Sequence, residues 1–153
     1  MDELIDITFH KKDKIAFRAA WILEYICIEQ PHKCAEALPY FTERFSEQNN
    51  LSAMRHYTKI MCHITAPRSP QIVKHVLNDL DTTTVVETMF TWLIDPATPV
   101  AVKANCMEAL ANLIPGHPWI KETLSESIEH LVDKESVAFF GRAKKVRQRL
   151  KRA

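Results

Sequence analysis

Thr98-Pro-Val-Ala-Val-Lys-Ala-Asn-Cys-Met-Glu-Ala-Leu-Ala-Asn-Leu113 is the stretch that decides the fold. A hydroxyl residue followed by proline suits a helix start, because proline has no amide hydrogen to leave unsatisfied in the first turn. The run therefore predicts one helix over 98–113. Its triplet Ala101-Val102-Lys103 recurs as Ala16-Phe17-Arg18 and Ala53-Met54-Arg55, and in altered form as Ala138-Phe139-Phe140. The four alanines lie 37, 48 and 37 residues apart. The middle interval is longer by about the length of one helix, and residues 83–94 supply one. Self-similarity at this period, each unit a helix pair, marks a helical repeat array.

Working outward, proline marks the joints. Pro31, Pro67, Pro70, Pro96, Pro99, Pro115 and Pro118 stand between apolar-periodic segments. Ser69-Pro70 and Asp95-Pro96 repeat the cap-and-proline form of Thr98-Pro99, and Gly116 reads as a stop after Leu113. Thr84-Val-Val-Glu87 has the form of a capping box, which favours helix over strand. The expected helices are 14–29, 32–47, 51–65, 70–80, 83–94, 98–113, 118–133 and 135–151, with Pro39 breaking the second. Residues 15–28 are apolar nearly all the way round, so that helix is expected to be covered on most sides. The whole, residues 1–153, reads as a single all-α domain.

Composition excludes several function classes. Glycine occurs twice, at Gly116 and Gly141, where an average protein has about 7%. Phosphate-cradling loops need glycine where the backbone must approach a ligand closely, so glycine-based nucleotide motifs are excluded. Residues 1–6 carry three acids and no apolar run, and read as neither signal nor transit peptide. No run approaches the roughly 18 unbroken apolar residues of a bilayer span. The expectation is a cytoplasmic protein, off the membrane, with reduced cysteines. Cys27, Cys34, Cys62 and Cys106 contain no C-x-x-C pair, so no zinc or redox motif is present. No metal or cofactor site is expected.

The best repeat unit resembles a HEAT repeat. Asp95-Pro96, Val102-Lys103, Cys106 and Ala109-Leu110-x-x-Leu113 follow that family's pattern of Asp, Val-Arg, Ala and Ala-Leu-x-x-Leu. The resemblance implies a right-handed α-solenoid of about four helix pairs. It also implies that Arg18, Arg55 and Lys103 are structural, pairing with acids at repeat joints. Phe17-Arg-Ala-Ala-Trp-Ile-Leu-Glu-Tyr25, Phe90-Thr-Trp-Leu-Ile94, Val102-Lys-Ala-Asn-Cys-Met-Glu-Ala-Leu110 and Arg142-Ala-Lys-Lys-Val146 are similar to phrases of a small bacterial HEAT-like family. Members of that family often carry the label adenylosuccinate lyase. A lyase of that kind needs a loop of the form Gly-Ser-Ser-x-Met-Pro-x-Lys-x-Asn, and neither glycine here precedes serine. The expected protein is therefore not an enzyme.

Other candidate chemistry is thin. His56 and His63 lie two turns apart without a second ligand pair at i, i+3 or i+4, and read as structural. Trp21, Trp92 and Trp119 fall within apolar spacing and are expected in the core, unless one half-exposed on the concave side anchors a partner. Charge is uneven: Arg142, Lys144, Lys145, Arg147, Arg149, Lys151 and Arg152 crowd the tail. The resemblance places the second helix of each pair on the concave face, and segments 31–48, 69–81 and 117–135 are each net acidic. The expected function is a non-enzymatic module that docks a protein or peptide, of basic character, on that surface. The alternative is a nucleic-acid-associated protein touching phosphates through Arg142, Lys145, Arg149 and Lys151 of the basic C-terminal helix.

Overall fold

The computed structural model describes residues 1–152. Among these residues the regular structure is helical throughout, with no strand. In chain order the elements are α1 (Asp2–Ile7), α2 (Asp13–Glu29), α3 (Pro31–Arg44), a single 3-10 turn (Phe45–Glu47), α4 (Leu51–Thr65), α5 (Gln71–Asn78), α6 (Thr83–Ile94), α7 (Val100–Asn112), α8 (Ile120–Val132) and α9 (Val137–Arg152). No helix among them is long and apolar enough to cross a membrane.

Two layers share one core. In the first, α2 packs on α4, α4 on α7 and α7 on α9. These are the four helices that the recurring alanine triplets open. In the second layer α3 packs on α5, and α6 on α8 and on the turn after α3. Between the layers lie Leu23, Leu38, Phe41, Phe45, Tyr57, Met61, Met89, Leu93 and Leu110, all fully buried. Phe45 stacks on Trp92 with centroids 5.0 Å apart, and Phe41 tilts against Tyr57 at 4.8 Å. The first pair ties the second layer together and the second joins the two layers, each more firmly than area burial alone would.

Several local readings need correction. Pro39 does not break its helix: α3 runs from Pro31 to Arg44, with Pro39 on the exposed side. The flanking Leu38, Phe41 and Thr42 are buried, and that burial holds the helix against the missing hydrogen bond. The short turn follows at Phe45–Glu47 instead. Thr84 is not a cap, since α6 already begins at Thr83; the Thr83 amide is held by the Asp81 carboxylate at 2.9 Å. Pro70 and Pro99, not Ser69 and Thr98, occupy the cap positions of α5 and α7, with no side-chain cap bond. Asp95 instead folds the loop before α7, accepting from the Ala97 amide at 2.9 Å. Gly116 does not end α7 in a left-handed turn, because neither glycine has positive φ. The helix stops at Asn112, and the chain continues in right-handed turns, with Gly116 N–H on Leu113 O at 3.2 Å. A true cap lies at Asn50, whose Oδ1 accepts from the Ala53 amide at 2.9 Å and opens α4.

The four cysteines are buried free thiols. Burial pushes the Cys62 and Cys106 thiols well above their ordinary value, with Glu108 adding to the rise at Cys62. Such thiols are poor nucleophiles.

The segment expected to be covered on most sides is not. Ile15, Phe17, Trp21, Ile22, Tyr25 and Ile28 of α2 are all exposed, Trp21 at 58% and Tyr25 at 61%. The reason is position: among the described residues α2 stands at one end of the first row, with α4 as its main first-row neighbour. Trp119 is also half out, leaning on Phe90 at 5.7 Å. Of the three tryptophans only Trp92 joins the core.

Candidate functional site

All four first-layer helices contribute to one cleft of about 370 Å³. α2 gives Phe17, Trp21 and Glu24; α4 gives Arg55, His56 and Lys59; α7 gives Ala101 and Asn105; α9 gives Arg142. This cleft lies on the first helices, whereas the sequence reading placed the docking surface on the second ones.

The floor of the cleft is fixed by hydrogen bonds. Asn105, buried on α7, donates from Nδ2 to Thr58 Oγ1 at 3.2 Å and to Arg55 O at 3.4 Å. Cys62 Sγ donates to Asn105 O at 3.2 Å. These contacts clamp α7 to α4 and hold the Arg55 turn in place. One wall is the pair His56 Nδ1 and Glu24 Oε1, 2.9 Å apart, with the Phe17 ring 5.3 Å from the imidazole. An imidazole held by a carboxylate is an oriented base. No hydroxyl or thiol lines the cleft for it to activate. No cluster of three His, Cys, Asp or Glu among the described residues could hold a metal ion.

The cleft is electrostatically one-sided. Arg55, Lys59 and Arg142 enter no ion pair among the described residues. Only Glu24 opposes them, and it is engaged with His56. α4 carries no acid at all, and α9 carries seven cations and no acid. In the second layer α8 carries Glu122, Glu126 and Glu129 and one lysine, Lys121.

The three basic residues at aligned repeat positions part company. Lys103 is 1% exposed, and its Nζ donates to Glu135 Oε1 in the joint before α9. Arg18 and Arg55 are exposed and enter no ion pair, Arg55 in the cleft and Arg18 on the bare flank of α2. Nor do the four tail residues converge. Arg142, Lys145 and Arg149 share one side of α9 by their spacing, while Lys151 lies on the other. Arg142 reaches the cleft just described. Arg149 reaches a second cavity of about 670 Å³ at the far ends of α4 and α7, lined also by Lys74, Asp81, Thr82 and His117. There Thr82 Oγ1 and His117 Nε2 are 2.8 Å apart, and Lys74 Nζ donates to the Pro67 carbonyl.

Sequence reasoning passed over Phe17, Lys59 and Asn105. One signal was available: Phe17, Trp21 and Tyr25 recur at i, i+4, i+8 and form an aromatic stripe along α2. Compared with known proteins, the chain matches no family model, no curated protein and no solved structure.

Proposed function

We propose that the chain is a right-handed α-solenoid of HEAT-like helix pairs that works without turnover, docking an acidic protein segment on the face of its first helices. Supporting the repeat reading, the four helices opened by aligned triplets are the four that stack in one row. The observation that carries the docking reading is the cleft. Three cations without ion-pair partners stand beside half-exposed Phe17 and Trp21, so one surface offers both charge and apolar anchorage. The partner's sign is the reverse of the sequence expectation, because this reading takes the basic first-layer cleft and not the acidic second helices as the docking surface.

Affinity purification from native cells tests this reading by comparison of the unaltered chain with Arg55→Glu/Lys59→Glu. Both side chains are exposed, so the variant keeps its fold. The expected result is an acidic protein retained by the first and lost from the second. Identical captures from both chains would refute it.

The cation run of α9 favours a second reading, nucleic-acid association through Arg142, Lys145 and Arg149. That reading expects duplex binding that weakens steeply with salt and is lost on neutralising Lys145 and Arg149. Binding that ignores salt would remove it.

A further inference from the structure

The exposed flank of α2 has the form of half an interface. The buried side of α2 carries Ala16, Ala19, Ala20, Leu23 and Cys27. The remaining arc, roughly half the circumference at 3.6 residues per turn, is centred on Arg18 and Tyr25, with Trp21 and Ile22 to either side. Most of it is apolar, yet it faces water.

We infer that this flank binds a second copy of the chain, as an antiparallel α2–α2 contact about a two-fold axis passing between Trp21 and Ile22. A two-fold contact requires a patch that complements itself: whatever residue i meets on its copy, that residue meets i in return. The axis keeps each edge of the arc with its own copy, so Trp21 stands beside Trp21 of the second copy and Ile22 beside Ile22. It sets the Arg18 guanidinium over the Tyr25 ring, a favourable cation–π placement. It also sets Lys14 against Glu29, so an ion pair closes each end of the contact. All six of these side chains are exposed in the single chain. The same axis lies across the face, level with the middle of the exposed arc, so the pairing uses the bare flank and nothing that the fold already covers. A parallel pairing would instead set Lys14 and Arg18 against their own copies.

The other end of the row makes the contrast. α9 also shows apolar side chains to water, with Val137 at 86% exposure and Phe140 beside it. Lys144, Arg147 and Lys151 flank that patch with no acid on the helix to answer them. It repels its own copy, whereas α2 complements its own. The inference does not depend on what the basic cleft binds, although Phe17 and Trp21 stand on the border of both surfaces.

Light scattering or sedimentation of the full chain across a concentration series tests it. The expected result is a shift of mass from one chain to two as concentration rises. Lys14→Glu raises the dissociation constant about tenfold or more, since the symmetry breaks two ion pairs at once. Adding Glu29→Lys restores dimerisation, an outcome that general surface damage does not produce. Trp21→Ser abolishes the dimer while circular dichroism, and the thermal midpoint at a dilution where both chains are monomeric, stay unchanged. Mixed chains carrying Arg18→Cys and Tyr25→Cys crosslink with each other more readily than either does with itself. A monomer at every concentration, an oligomer larger than two, or a charge-swapped variant that stays monomeric would overturn the inference.

Discussion

α2 and α7 read alike and live differently. Both are apolar on nearly every side, and both carry a base third in the opening triplet, Arg18 in one and Lys103 in the other. α7 lies between α4 and α9 in its own row and touches α6 and α8 of the second. It buries Val102, Ala104, Cys106, Met107, Ala109 and Leu110, and even Lys103. Among the described residues α2 has α4 along one side and α1 and α3 against it, and its other side is exposed. All-round apolarity therefore tells how many neighbours a helix wants, and α2 lacks one that α7 has.

The sharpest way to break that comparison is through the two bases. Lys103 is a charge taken out of water and answered by Glu135. Removing one partner of a buried pair strands the other, at a cost of about 3–5 kcal/mol. Glu135→Ala is expected to lower the urea midpoint accordingly, while Arg18→Ala on α2 changes stability by less than about 0.5 kcal/mol. Equal effects would mean that the aligned positions share an environment, contrary to the structure. Next come the apolar positions. Leu110→Ala leaves a cavity where α7 meets its neighbours and is expected to cost about 2–5 kcal/mol. Ile22→Ala, at 48% exposure, is expected to cost under about 0.5 kcal/mol.

A smaller effect of the opposite sign sits on α3. Pro39 interrupts the backbone hydrogen bonding of a helix that burial keeps intact, and its own ring faces solvent. Pro39→Ala is expected to stabilise by about 1–3 kcal/mol in urea unfolding. A loss of stability would show that the ring packs against something the surface hides.

Much of the fold was legible because helices announce themselves by period. Expected segments such as 51–65 and 83–94 match α4 and α6 to the residue. The four triplets marked the helices that share a row. α1 went unseen because its six residues hold one buried side chain, Ile5, too few to show a period. What a helical wheel does not encode is where a row stops. Trp21 looked like core because its spacing is that of a core residue, and only the absence of a neighbour puts it in water. The candidate site was half legible for the same reason: Arg55 and Arg142 stood out as charges, but that they share one cleft is decided by packing between helices far apart in sequence.

The last and smallest effect lies on α4, the helix that joins the bare end to the covered middle. His63 has a buried Nε2 with no hydrogen-bond partner. Burial pulls its pKa below the ordinary 6.5, and the nearby charge of Glu24 only partly opposes that. The unfolded chain takes up the proton near 6.5, whereas the folded chain resists it until lower pH. Stability from this residue is thus fully present above 6.5, falls as the pH drops through that value, and levels off below the folded pKa. Urea unfolding on either side of 6.5 is expected to show the decline, and His63→Gln to flatten it. A variant with the slope unchanged would move the cause to another histidine, and would mean that the seam between α2 and α4 admits enough water to solvate the imidazolium.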